Sequence, residues 1–161
     1  ITLPLLVAVC VQLRWRYQIN MLIVGKLLIS LAIAIYAFIP PIVNLMTDSH
    51  VFHQQWMPHA RMHTVWMLGS TFGIGLVSLY LIWMRRIERQ FSINLAVVLS
   101  GIVYGAFFLS ASTISLYGGA LSDLVDGSEK GPFGLDTNLF TFGLASLMLV
   151  TGWAMCARNR T

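Results

Sequence analysis

Charge is what this chain has least of. Asp, Glu, Lys and Arg make up 10% of its 161 residues, and 57% are hydrophobic; a water-soluble domain carries about 25% charged residues. The shortfall excludes an ordinary solvated globule. Acidic residues number six, and none falls inside a long apolar run, so the buried carboxylate that ion- or proton-coupled transport ordinarily uses is missing. The two cysteines, Cys10 and Cys156, stand in no metal or redox spacing. Both are expected near the inner membrane face, where a disulfide does not persist. There is no internal repeat, low-complexity tract, phosphate-cradling glycine loop or nucleic-acid motif. The net charge of +4 forms no patch, because the basic residues stand at the ends of apolar runs. That excludes nucleic acid as a partner and leaves the lipid bilayer.

What is abundant is apolar sequence in long runs. A helix crossing a bilayer needs about 20 mostly apolar residues, and four stretches supply them, at 19–39, 64–84, 91–117 and 139–157. None alternates as a barrel strand would. The expected fold is all-α: a single transmembrane domain over 1–161, a polytopic bundle of four helices joined by outer loops at 40–63 and 118–138. Pro40-Pro41 is expected to end the first span. The third span exceeds what a bilayer requires and is expected to tilt or project. Residues 1–13 are apolar but short. They leave three readings open: a truncated fifth span, a signal-like region or an interfacial helix. The first residue is Ile1 rather than Met, which points to a start elsewhere or to processing.

Basic residues set the orientation, because they stay on the cytoplasmic side. Arg14 and Arg16 precede the first span, Arg85, Arg86 and Arg89 fill the turn between the second and third, and Arg158 and Arg160 follow the fourth. Only Arg61 and Lys130 fall in the other loops, where five of the six acidic residues also lie: Asp48, Asp123, Asp126, Glu129 and Asp136. Both termini are therefore expected in the cytoplasm, and the implied location is a bacterial inner membrane with loop 40–63 on the periplasmic side. Trp15 and Trp83 mark the inner interface, and Trp56, Trp66 and Tyr117 the outer one. Lys26 is expected to snorkel toward Arg16. Gly69 with Gly73, and Gly101 with Gly105, have the small-xxx-small spacing that lets helices approach. They are expected to pack within the chain, with packing against other membrane subunits as the second reading.

All four histidines fall within fourteen residues: His50, His53, His59 and His63. Pro58 suits the first turn of a helix that would run into the second span. His59 and His63, four apart, then share a face with Trp66, Ser70 and Gly73, while Arg61 points nearly opposite. This histidine face is expected to be the inward one. Two helical histidines at that spacing can hold one metal ion, but Ala60 stands where a zinc protease has its glutamate, so the protease motif is not met. His59, His63 and His50, completed by His53 or Asp48, would suit copper(II), zinc or iron. Met46, Met57, Met62 and Met67 are interleaved; thioether sulfur favours copper(I), although methionine is common in membrane helices. The plainer alternative is a hydrogen-bond network to loop backbone and Asp48, and a third role is titration near neutral pH. Asp123 and Asp126, three apart in the second outer loop, are candidate partners of Arg61 and of the histidines. Asp136, Thr137 and Asn138 should cap the last span. Ser110, Thr113 and Tyr117 line one face of the third, either for a ligand or bonded to their own helix carbonyls.

Asp48, His50-Val51, Trp56, Pro58-His59-Ala60-Arg61 and His63 together resemble the pattern of a family of small four-helix membrane proteins of unknown function. The motif covers about a tenth of the chain; it departs from the family at His53, where an asparagine is expected, and at Gln54, where a proline is. The resemblance implies that His50, His59, Arg61 and His63 act as a unit. Three functions follow as expectations. The first is a membrane protein with a metal-binding outer-face site, alone or as a small subunit of a larger complex. The second is a membrane enzyme using His59 or His63 with Asp123 or Asp126 for acid–base chemistry on a lipid or isoprenoid-like substrate, which needs a cavity between the outer halves of spans two and three. The third is a purely structural subunit.

Overall fold

Each long apolar run folds as one helix. The computed structural model describes residues 3–48, 51–84, 88–121 and 131–158 and, of the side chains before Gln18, only Gln12 and Arg16. Helix α1 runs Leu3–Met46, α2 Pro58–Trp83, α3 Arg89–Ser112 and α4 Thr137–Ala157. Each contains a segment long and apolar enough to cross a membrane. His50, Arg85, Arg86, Asp123, Asp126, Glu129, Lys130 and Arg160, with the side chains of Cys10, Arg14 and Trp15, lie outside the described residues.

Two boundaries differ from the expectation. Pro40 and Pro41 do not stop α1, which continues to Met46. Each proline lacks the N–H that would bond the carbonyl four residues back, and the helix continues through this loss. The last turn is reinforced by side chains bonding back, Asn44 Nδ2 to the Pro40 carbonyl (2.8 Å) and Thr47 Oγ1 to the Val43 carbonyl (2.7 Å). The third helix stops at Ser112, short of Tyr117, and Ile114–Leu116 form a separate 3-10 turn. At the other end of the chain, residues 3–17 continue α1 without a break. The fourth helix is capped as expected: Asp136 accepts from the backbone N–H groups of Asn138 (2.8 Å) and Leu139 (3.1 Å).

The helices alternate in direction, and α1 packs mainly against α4 and α2. Ile29, Ala32, Ile33, Tyr36 and Ala37 form its buried stripe. The α1–α4 contact is closest at Gly25 and Gly152, where a Cβ built on Gly152 would stand 2.6 Å from the Gly25 carbonyl oxygen. A hydroxyl layer crosses the centre: Tyr36 and Ser100 share a 3.3 Å hydrogen bond, and the Tyr104 hydroxyl donates to the Ala32 carbonyl. Lys26 does not follow its own helix toward Arg16. Its ammonium donates to the Ile82 carbonyl at the end of α2 (2.8 Å) and lies 5.3 Å from the centre of the Trp83 ring, a cation placed at a helix C-terminus.

Among the described residues the small-residue pairs make no close helix contact. A Cβ at Gly69, Gly73, Gly101 or Gly105 would meet nothing within 4 Å. The close contacts fall instead at Gly25–Gly152 and where Gly75 faces Ala37. Gly69→Ala and Gly73→Ala are therefore expected not to destabilise the isolated chain, and to stabilise it by up to about 1 kcal/mol through helix propensity, as checked by unfolding in detergent.

Candidate functional site

Pro58 takes the first helical position of α2, and Met57 before it is extended. The proline lacks the N–H that a helix start leaves unbonded, and its φ is already helical. His59, Arg61 and His63 therefore lie in the first two turns. Sharing a turn does not give them a common direction. Inward on α2 comes the stripe Leu68, Gly75, Ser78 and Ile82, with Arg61, Thr64 and Thr71 half-buried along it. His59, His63, Trp66 and Ser70 are exposed. The expected inward face is thus corrected: the histidines point away from the bundle, and Arg61 is on its side. A membrane helix is apolar all round, so hydrophobicity does not select the buried stripe. Small and hydroxyl side chains that allow close approach do.

Arg61 holds the loop before the helix. Its Nη2 donates to the His53 carbonyl (2.7 Å) and more weakly to that of Gln54 (3.4 Å), and its Nε donates to the Trp56 carbonyl (3.1 Å). The loop also closes on itself through Trp56 N–H to the His53 carbonyl (3.1 Å), with Val51 buried beneath. A guanidinium suits this because it presents several donors in a rigid fork. Sequence reasoning paired Arg61 with Asp123 and Asp126 and missed this role; Arg61 lying within eight residues of three loop carbonyls was the available signal. Arg61→Ala is expected to destabilise the chain by roughly 2 kcal/mol, the scale of hydrogen bonds to a charged group discounted for partial exposure. It should also raise protease cleavage within 51–57. Arg61→Lys should recover only part of both, since it keeps the charge and loses the fork.

His59 and His63 meet. Their Nε2 atoms are 3.0 Å apart and their ring centres 4.4 Å apart, edge to face. The Trp66 ring lies stacked beyond His63 at 5.9 Å. At 3.0 Å the two Nε2 atoms are within hydrogen-bond distance, one donating its N–H and the other accepting.

The remaining candidates are placed as follows. Asp48 and His53 line one hollow with Phe52, Gln54 and Gln55, while His63 lines another with Trp66 and Ser70. The His53 Nδ1 is buried without a hydrogen-bond partner. Among the described residues no group of three or more His, Cys, Asp or Glu side chains could hold a metal ion, and His50, Asp123 and Asp126 lie outside them. Met57, Met62 and Met67 are exposed. In α3 and the turn after it, Thr113 Oγ1 bonds the Leu109 carbonyl and the Tyr117 hydroxyl the Ser110 carbonyl, both at 2.8 Å, so these hydroxyls serve their own backbone. Cys156 is a buried free thiol.

Four helices of this length and apolarity make the chain an all-α integral membrane protein. Compared with known protein-family models, curated proteins and solved structures, it matches none.

Proposed function

We propose that this chain binds one transition-metal ion (copper, zinc or iron) at the histidine end of its bundle and serves as a small subunit of a larger membrane assembly. The observation that carries the reading is the 3.0 Å approach of the His59 and His63 Nε2 atoms. Nitrogens bound at about 2.0–2.1 Å to one tetrahedral zinc stand about 3.3 Å apart, so ligation needs a small opening of the pair and a turn of the rings toward the ion. Imidazole suits all three metals. Further donors would come from the loop, with His50, His53 and Asp48 as the candidates. Arg61 would contribute by holding that loop, not by ligation. The bound ion would supply Lewis acidity or a redox centre; His59 and His63 would fix its position on a rigid helix.

The assembly half of the reading rests on the unused faces. Gly69, Gly73, Gly101 and Gly105 are open to close approach, and the His63–Trp66 side of α2 is exposed. The distribution of basic residues supports a bacterial inner membrane with the histidine end on the periplasmic side. The test is metal analysis of protein purified without a polyhistidine tag. The wild type is expected to carry close to one ion per chain and His59→Ala to carry none. Equal metal content in the two would overturn the reading.

A further inference from the structure

We propose that the cleft between α2 and α3 binds the hydrocarbon chain of a membrane amphiphile, with the ligand's polar head at the histidine end. The cleft has a volume of about 450 Å³, inside the range of small-molecule sites, roughly 300–1,000 Å³. Met67, Leu68 and Thr71 form one wall, Ile102, Ala106 and Phe107 the other, and Tyr36 and Phe142 lie behind them. From Ile102 to Ser110 it follows α3 for about 12 Å at 1.5 Å per residue. Both walls belong to segments apolar enough to cross a membrane, so a ligand enters from the bilayer.

The wall chemistry selects the ligand class. The surface is almost entirely carbon, and the main polar atoms along it are already bonded. The Thr71 hydroxyl donates to the carbonyls of Met67 and Leu68, and the Tyr36 hydroxyl is bonded to Ser100. The Ser110 hydroxyl at one end of the cleft is the remaining polar side chain among the lining residues, too little to orient a sugar, nucleotide or ion, whereas a flexible hydrocarbon chain needs no such partner. The cleft opens to the outside of the bundle between two segments apolar enough to cross a membrane, so hydrocarbon rather than water or empty space is its natural occupant.

The polar end follows from what adjoins the cleft. Met67 also lines a second hollow, of about 500 Å³, with His63, Thr64, Trp66 and Ser70. His63 precedes Met67 by four residues, about 6 Å along the helix. A chain lying in the cleft thus carries its head to the imidazole and indole side chains. The walls contain none of the proposed metal donors, so binding of the chain stands apart from the metal reading; only the placement of the head shares His63 with it.

The test uses the chain in phosphatidylcholine vesicles with two photoreactive probes, a diazirine fatty acid and a diazirine polyprenol. Labelling is mapped by mass spectrometry. At least one probe is expected to label the recessed wall residues Leu68, Thr71 and Phe107 about tenfold above the exposed Leu147 and Val150, a decade of preference over lipid-facing positions. Excess unlabelled compound should suppress the cleft labels alone. The probe that labels identifies the chain as acyl or isoprenoid. Ala106→Trp, which fills the cleft, should remove the preference; the competition arm needs no variant and holds if that one fails to fold. Even labelling of cleft and lipid-facing positions without competition, or no cleft labelling by either probe, would overturn the proposal. So would undiminished cleft labelling in a folded Ala106→Trp chain.

Discussion

Gly152→Ala is expected to destabilise the bundle by about 3 kcal/mol, the upper end of what overpacking a tight core usually costs. The added methyl would stand 2.6 Å from the Gly25 carbonyl oxygen, 2.9 Å from Ile29 Cγ1 and 3.1 Å from the Ile29 nitrogen. Two of these three atoms are backbone and cannot rotate away, so α1 and α4 must separate. They form the most extensive helix pair in the bundle, and the separation removes contacts along the whole seam. The reciprocal change, Gly25→Ala, meets Cys156 Sγ at 2.7 Å and the Gly152 carbonyl oxygen at 2.8 Å and should behave similarly. Unfolding in detergent, with Gly69→Ala as the control that is not destabilised, checks this; a Gly152→Ala chain as stable as wild type would contradict the proposed seam.

The second large effect concerns the histidines. His59→Ala and His63→Ala are each expected to weaken metal binding by at least about 100-fold. Loss of groups that merely orient ligands already costs 10–100-fold in affinity, and here a ligand itself is removed. Because the two imidazoles grip one ion, the double variant should bind little more weakly than either single one, a departure from additivity expected of groups in direct contact. Equilibrium dialysis against zinc or copper gives the affinities. Trp66→Ala, which removes the ring stacked beyond His63 without removing a donor, should lower affinity far less.

How far the sequence reveals these features depends on the kind of signal. The four helices were legible because length and apolarity suffice to recognise them. Pro58 at the start of α2 and Asp136 at the start of α4 were legible because helix ends have specific local chemistry. The His59–His63 contact followed from four-residue spacing alone. What could not be read was the direction of that face. On α2, lipid-facing Val65, Leu76 and Val77 are as apolar as buried Leu68 and Ile82, so amphipathicity carries no information. The informative pattern was Thr64, Thr71 and Ser78 at seven-residue steps, interleaved with Leu68, Gly75 and Ile82. The small-residue pairs misled for a related reason: spacing permits close packing, but only the tertiary structure says which glycine meets a neighbour. The prolines of α1 misled because a proline costs a helix one hydrogen bond and some packing without being bound to end it, and here the next turn carries its own side-chain bonds to the backbone.

The central claim is that His59 and His63 jointly ligate one metal ion. X-ray absorption at the metal edge, on protein purified without a polyhistidine tag and loaded with a single equivalent of zinc or copper, tests it most directly. The account predicts at least two imidazole nitrogens at about 2.0–2.1 Å for zinc, with the imidazole scattering reduced by two nitrogens, or the metal no longer bound, in the His59→Ala, His63→Ala double variant. A metal shell without imidazole, or one unchanged in the double variant, would contradict it.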